Sequence, residues 1–194
     1  IHISRAYYRT DCSFSHFIAT LPYTVELDPD TKITLKMYLY KNIKNVETIR
    51  NNIIKGAWSC AVVKPSLILD PFQVSVAANR AVVAEKLNAM VTRTVFAEIL
   101  YNLSLTKNIT QSLSKFGIDK DENLLVCFLV SQEQDTSADI LPQIEGEPCA
   151  MSELVNFTNM KDVNSAYKLN NLKFDDGLLD IVVSRMVTKN FVSY

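Results

Sequence analysis

Hydrophobic and polar positions along the chain recur with two periods, and each period predicts a different kind of element. Residues Lys32–Tyr40 alternate in polarity and predict a half-buried strand. Its apolar face consists of Ile33, Leu35, Met37 and Leu39. Leu124–Val130 is a continuous apolar run, which predicts a central strand buried on both faces. The shorter apolar run Ser66–Leu69 predicts a third strand of the same buried type.

Helical spacing accounts for most of the remaining chain. The predicted helices are Val46–Lys55, Pro71–Leu87, Ile109–Phe116, one or two within Ser152–Leu169, and a last one from Asp175–Gly177 to about Lys189. Two of them carry N-terminal capping residues, because Asp70 precedes Pro71 and Asn108 precedes Ile109. Gln73, three residues after Asp70, completes a capping pattern, and Gly117 predicts the end of its helix at a C′ glycine.

Two segments are less regular. Glu98–Leu103 fits a helix or a strand, and we favour a short helical turn that leads into a strand. Gln132–Glu147 is polar, acidic and rich in turn residues, so we expect a loop or an irregular excursion. Strands separated by helices predict an α/β fold: a single domain with a mixed central sheet flanked by helices, whose C-terminal helix is available for partner docking.

The domain boundary is predicted near residue 22. Residues 1–21 contain both histidines, His2 and His16, and aromatic residues without a clear period, so we expect a poorly ordered extension. Residues 22–194 then form one domain. Apolar residues make up 48% of the chain and charged residues 21%, which is a globular composition. No apolar run is long enough to span a bilayer, and we expect no membrane association.

The four cysteines indicate a reducing compartment. Cys12, Cys60, Cys127 and Cys149 are widely spaced and form no CxxC pair. We therefore expect reduced and mostly buried thiols in a cytosolic or nuclear protein, rather than a disulfide framework or a zinc site.

Charge is divided along the chain although the net charge is only −1. Between Lys32 and Lys115 there are twelve Lys and Arg residues against four acids, whereas between Phe116 and Asp176 there are four Lys residues against twelve acids. The basic half could form a polyanion-binding face. Alternatively the halves intermix in the fold and neutralise each other, which is favoured because both halves contribute to one sheet.

The chain offers little catalytic chemistry. With four glycines in total, no glycine-rich phosphate-binding loop can be written. Both histidines lie in the extension, so the Ser, Thr and Cys residues of the body have no imidazole partner. We therefore expect no enzyme activity, no cofactor and no metal. An enzyme based on paired acids remains an open alternative, because the chain contains the carboxylate groups Asp119, Asp121 and Glu122, and Asp175 and Asp176. The first group is also explained by a solvated turn, and the second by the acidic start of a helix.

An ordered set of short motifs runs from about Leu21 to Lys189. These are Lys41-Asn-Ile-Lys-Asn45, Leu69-Asp-Pro-Phe-Gln73, Ala77-Ala-Asn-Arg-Ala-Val82, Thr92-Arg-Thr94, Asn102-Leu-Ser104, Lys115-Phe-Gly-Ile118, Tyr167-Lys-Leu169 and Leu178-Leu-Asp180 with Arg185-Met186. In this order and spacing the chain resembles the TPRKB family of kinase-binding proteins, which are subunits of the KEOPS (EKC) complex. The first twenty residues and the acidic loop after Ser131 depart from the family pattern.

The resemblance implies a non-catalytic regulatory subunit. It would bind the small atypical kinase/ATPase of the complex, called PRPK in animals, and contact other KEOPS subunits indirectly. The complex makes threonylcarbamoyladenosine in tRNAs that read codons beginning with adenine, and tRNA would be reached through the complex. The expected location is the cytosol and the nucleus. An autonomous RNA-binding module that uses the basic residues 32–115 is the alternative.

Two sets of residues are candidates for binding. In the last helix, an apolar stripe is wider than one core-facing side requires, and the candidate kinase-binding residues are Leu179, Val182, Val183 and Met186. A fully buried helix is the alternative. We expect Val182→Asp or Met186→Asp to abolish kinase binding and leave the subunit folded. The candidate tRNA contacts are Arg80, Lys86 and Arg93, for which ordinary surface salt bridges with Glu85 and Glu98 are the alternative.

Overall fold

The computed structural model describes residues 21–169 and 177–192. The expectation of a poorly ordered extension at residues 1–21 therefore lies, apart from Leu21, outside the described residues. Five strands form one sheet: β1 (Tyr23–Glu26), β2 (Thr34–Lys41), β3 (Ala61–Val63), β4 (Leu124–Val130) and β5 (Glu147–Cys149). The strand order is β1-β2-β4-β3, and β5 pairs with the end of β2 beside β1.

Seven α-helices surround this sheet in the described part of the chain: α1 (Val46–Ile54), α2 (Pro71–Lys86), α3 (Val95–Leu103), α4 (Ile109–Phe116), α5 (Ser137–Ile140), α6 (Met160–Tyr167) and α7 (Leu178–Thr188). Short 3-10 helices cover Pro65–Leu67, Leu141–Gln143 and Met151–Asn156. The α/β class and the flanking helices are thus confirmed. Every strand pair is antiparallel, so the predicted mixed sheet is wrong in strand direction.

The two faces of the sheet carry two separate cores. On one face Leu35, Met37 and Leu39 of β2 are buried against α2, α3, α4, α6 and α7. On the other face Tyr40 of β2 and Phe128 of β4 pack with α1, α5 and neighbouring loops. Since side chains of a strand alternate between faces, a central strand with helices on both sides is apolar at every position. This explains the continuous apolar run of β4.

The segment Ser66–Leu69 is not a strand, which corrects the prediction. Pro65 starts a 3-10 helix in which the Ile68 N–H donates to the Pro65 carbonyl at 3.0 Å. Side chains and a neighbouring loop satisfy the other backbone groups: the Thr158 hydroxyl donates to the Ile68 carbonyl at 2.6 Å, and the Asn159 N–H donates to the Ser66 carbonyl at 2.9 Å. The short strand β3 lies just before this segment. An apolar run can therefore be buried without joining the sheet.

Residues 98–103 also differ from the prediction. They belong entirely to α3, with no strand in their second half. The helix begins at Thr94, whose hydroxyl accepts a hydrogen bond from the Ala97 N–H at 3.2 Å. Ile99, Tyr101 and Leu103 are buried, and α3 packs along α2, so tertiary packing outweighs the β-forming residue types of this segment.

The predicted helix starts are confirmed, whereas one helix end differs. Asp70 Oδ1 accepts from the Phe72 N–H at 2.8 Å, and Asn108 Oδ1 accepts from the Gln111 N–H at 3.0 Å. Gly117 lies at the end of α4, as expected, but its φ of −80° is not left-handed. A Cβ atom there would lie 2.6 Å from the carbonyl oxygen of Leu113, so a close approach explains the glycine.

A buried hydrogen-bond network joins α2, α3 and α6. The Gln73 amide donates to the Tyr167 hydroxyl at 2.7 Å, and that hydroxyl donates to the Leu103 carbonyl at 2.8 Å. The other side of the amide accepts from the Leu69 N–H at 3.0 Å, so Gln73 does not close a capping box on Asp70. Both side chains are fully buried, and burial raises the pKa of the Tyr167 hydroxyl.

We predict that Tyr167→Phe lowers the free energy of unfolding by about 1–3 kcal/mol, because it leaves a buried carbonyl and a buried amide donor without this partner. Tyr38→Phe is the matched control, since the Tyr38 hydroxyl makes no hydrogen bond to any described residue. It should change stability by less than about 0.5 kcal/mol. Equilibrium urea unfolding of both variants measures this. Equal midpoints for the two variants would contradict the assigned role of the network.

Candidate functional site

Helix α7 has an inner face that belongs to the core of the domain. Val182 and Met186 are 0% exposed, and Leu178 and Ile181 pack against the same core. The helix lies against α2 and α3. An aspartate at position 182 or 186 would place a carboxylate in this core and cost about 3 kcal/mol or more.

Two arginines hold α7 in place. Arg80 of α2 donates from Nη1 to the Met186 carbonyl at 2.8 Å. Arg185 of α7 donates to the carbonyl of Lys168 at 2.8 Å and also to that of Tyr167, at the end of α6. Desolvation lowers the pKa of the Arg80 guanidinium, whereas the charge of Glu98 acts to raise it. The position of α7 is therefore fixed by the domain itself.

The candidate docking residues separate into two groups. Val182 and Met186 face the core, so the expectation that Val182→Asp and Met186→Asp leave the subunit folded is corrected. Leu179 and Val183 are half-buried and lie outside the core cluster. Together with Val187 they form the outer apolar stripe of α7, with its residues four apart.

Phe191 lies just beyond the end of α7 and was missed by the sequence analysis. It follows Val187 by four residues, and it is 88% exposed. Its spacing from Val187 was the available signal, but only the structure shows that the ring is uncovered. A large exposed aromatic side chain is typical of a surface that binds a protein partner.

A buried cationic residue lies where α7 ends. Lys189 is 1% exposed, its ammonium donates to the Tyr101 carbonyl, and Nζ lies 3.5 Å from the centroid of the Tyr101 ring. Desolvation, together with the charge of Arg80, lowers its pKa to about 8, while Glu98 acts in the opposite direction. The contact with the ring partly replaces the hydration that the ammonium loses.

The three candidate tRNA contacts have different environments. Arg80 is half-buried and bound to α7, so it has a structural role in this fold. Lys86 donates to the Asp30 carbonyl at 3.0 Å, and its Nζ lies 3.7 Å from the carboxylate of Asp30. Arg93 is exposed and makes no hydrogen bond or salt bridge to a described residue. Of the three, Arg93 alone presents its charge without a described partner.

Glu98 accounts for the conformation around Arg93 and does not pair with the surface cations. Its buried carboxylate accepts from the Val91 N–H at 3.1 Å and from the N–H and hydroxyl of Thr92, both at 2.7 Å. Since Thr94 caps α3, both threonines of the Thr-Arg-Thr motif serve the turn that displays Arg93.

The acidic and basic halves of the sequence intermix. Salt bridges Lys36–Asp135, Lys41–Glu153 and Lys64–Asp121 each join a basic residue from the first half to an acid from the second, with N···O distances of 2.6, 3.6 and 3.4 Å. Hydrogen bonds from Lys36 and Ser137 hold the pKa of Asp135 down at about 2. Mutual neutralisation therefore explains much of the charge division.

The predicted burial of the cysteines is confirmed for the described residues, where Cys60, Cys127 and Cys149 are buried and free. Burial raises the pKa of Cys60 to about 12 and also raises that of the other two, so the thiolate forms are disfavoured. No cluster of three metal-ligating His, Cys, Asp or Glu side chains occurs within residues 21–169 and 177–192. None of the helices described there is long and apolar enough to cross a membrane.

Comparison with known proteins identifies the class of this chain. Residues 40–190 match a family described as "Kinase binding protein CGI-121". The chain is 31% identical over 170 residues to the "EKC/KEOPS complex subunit TPRKB" of Danio rerio, covering 86% of this chain and 97% of that protein. It is 28% identical over 165 residues to the "EKC/KEOPS complex subunit CGI121" of Candida glabrata, covering 82% and 91% of the two chains.

These relatives define a class of kinase-binding complex subunits. The chain belongs to the CGI-121 family, which includes the TPRKB proteins, and the resemblance noted from the motifs is confirmed. The matched region contains the whole of α7.

We predict that Lys189→Met removes a pH dependence of stability. Below pH 8 the folded protein holds a charged, desolvated ammonium, and this penalty is relieved as pH rises, because the folded state releases the proton before the unfolded state does. Between pH 8 and 9.5, the free energy of unfolding of the parent protein should rise by about 1–2 kcal/mol relative to that of the variant. Lys55→Met is the control, because Lys55 is an exposed lysine at the end of α1. The free energy of unfolding of this control should depend on pH as that of the parent does. Parallel curves for the parent and Lys189→Met would contradict the prediction.

Proposed function

We propose that this chain is a non-catalytic accessory subunit of the KEOPS (EKC) complex. It binds the PRPK-type kinase/ATPase of the complex and supports threonylcarbamoyladenosine modification of tRNAs that read codons beginning with adenine. Other subunits and tRNA are contacted through the assembly, in the cytosol and the nucleus. Its membership of a family described as kinase-binding, with relatives named as KEOPS subunits, is the observation that carries the proposal.

The outer apolar stripe of α7 is the proposed kinase-binding surface. The inner face of the helix is occupied by the core, and Arg80 fixes its backbone, so the helix can bind a partner without reorganising. Three apolar side chains remain accessible at the surface: those of Leu179 and Val183, which are half-buried, and the exposed ring of Phe191. Burying them on a partner would remove apolar area from water.

The stripe is smaller than a complete interface. A stable interface buries about 800 Å² on each partner, whereas a helix of eleven residues is only about 16 Å long. We therefore propose that the stripe forms the centre of the contact, where truncation is most costly, and that the surrounding surface forms the rim. This assigns Leu179, Val183 and Phe191 the largest effects on binding.

The alternative, an RNA-binding module built on residues 32–115, has less support. Arg80 is bound to α7, and Lys36, Lys41, Lys64 and Lys86 each have an acidic partner. Titration of tRNA with the subunit alone distinguishes the two functions. Direct phosphate contacts would make log K fall with log salt by about 0.7–0.9 for each contact.

We predict that Val183→Asp and Phe191→Asp each weaken binding to the purified kinase by about 30-fold or more and leave the subunit folded, because they put a charge into the centre of the interface. Ile54→Asp is the matched control: this exposed apolar residue is in α1, which packs on the other face of the sheet, and it should bind like the parent. Calorimetric titration measures binding, and circular dichroism measures folding.

The result also has a cellular readout. In cells lacking their own subunit, the parent chain and Ile54→Asp should restore threonylcarbamoyladenosine in tRNA, whereas Val183→Asp should not. Unchanged kinase binding by both Val183→Asp and Phe191→Asp would remove α7 and the residues just after it from the interface. Loss of binding without loss of the modification would separate the kinase contact from the proposed function.

A further inference from the structure

A cleft opens where the α3–α4 loop meets the ends of α6 and α7. Its volume is about 410 Å³, within the range of small-ligand sites. Four of its lining residues are lysines: Lys107 from the loop, Lys115 from α4, Lys168 just after α6, and Lys189 just after α7. These lysines are far apart in sequence, so the fold assembles the positive charge.

The described lining contains no acidic residue. Asp162 is the acid whose charge acts on Lys115, and desolvation nevertheless lowers the pKa of Lys115. Ser104 and Ser165 add hydroxyl groups to the walls. Lysines and hydroxyl-bearing residues that line one concave site are complementary to an anion with several acceptor oxygens.

We propose that this cleft is a binding site for a compact phosphate-bearing ligand, held by the lining residues Lys107, Lys115 and Lys189. Leu179, Val183 and Val187 of the outer apolar stripe are not among its lining residues, and the inference does not rest on kinase binding. Phosphate is favoured over a carboxylate because it offers more acceptor oxygens to several ammonium groups.

The shape of the cleft favours a compact ligand over an extended nucleic acid strand. Single-stranded nucleic acids are held by a basic groove that follows several nucleotides and by aromatic side chains that stack on the bases. No aromatic residue is among the described residues that line this cleft. The Tyr101 ring, which is nearby, is covered by Lys189. The site therefore offers contacts to phosphate and none to a base.

The test is calorimetric titration of the full chain with pyrophosphate at low salt. Lys107→Gln/Lys115→Gln should weaken binding about tenfold or more, because it removes two of the converging charges. The matched control is Lys44→Gln/Lys55→Gln, which makes the same change in net charge at exposed lysines flanking α1, the helix that packs on the other face of the sheet. The control should bind pyrophosphate within about twofold of the parent.

A second measurement reports on Lys189. An anion beside its ammonium should raise the pKa from about 8, so binding should take up protons near pH 8. The other charged or titratable groups that act on it are Arg80 of α2 and Glu98 of α3, with the Tyr101 ring beneath it. Sulfate is the probe, because it resembles phosphate and does not itself titrate in this range. Titrations in buffers of different ionisation enthalpy should show proton uptake for the parent chain and none for Lys189→Met.

Three results would overturn the proposal. The first is a failure of pyrophosphate to saturate the chain at millimolar concentration, which would leave the lysines with local roles such as the 3.5 Å contact of Lys107 with the Asn190 carbonyl. The second is a loss of affinity in the Lys44/Lys55 control as large as that in the cleft variant, which would indicate a general charge effect. The third is a single-stranded oligoribonucleotide that binds more tightly than pyrophosphate and loses affinity in the cleft variant, which would assign the cleft to RNA.

Discussion

The buried hydrogen bonds of Tyr167 and Gln73 are the constraint on which the helical layer depends. They join α2, α3 and α6 at a point that water does not reach, so each group must find its partner in the protein. The network also satisfies the Leu69 N–H in the turn before α2, so this N–H does not need a partner in the sheet. Arg185 then connects the end of α6 to α7 through the carbonyls of Tyr167 and Lys168. The surface helix is thereby tied to the core.

This arrangement separates folding from binding within α7. Val182 and Met186 stabilise the domain, and Leu179, Val183 and Phe191 lie outside that core. The sequence pattern assigned Leu179, Val182, Val183 and Met186 together to one docking stripe. Because a helix turns through 100° per residue, neighbours such as Val182 and Val183 point in different directions, and packing decides which of them meets the core.

Charge shows the same dependence on packing. Several lysines of the basic half are neutralised by acids that follow in the sequence. The lysines that line the cleft come from different parts of the chain: Lys107 and Lys115 from the basic half, Lys168 from the acidic half, and Lys189 from the segment that follows both. A count of charges along the chain therefore described the totals correctly and did not locate the positive surface.

The sequence by itself determined the elements whose signals are local: the alternating strand β2, the apolar strand β4, the capped helices α2 and α4, and the family motifs. Helix caps and hydrophobic periodicity involve residues only a few positions apart, so they can be identified from the sequence. Only the tertiary structure decided the strand directions, the 3-10 turn at Pro65–Leu67, the half-buried position of Arg80 and the buried position of Lys189. These depend on partners such as Met186 and Tyr101, dozens of residues away, whose contacts exist only after the chain has folded.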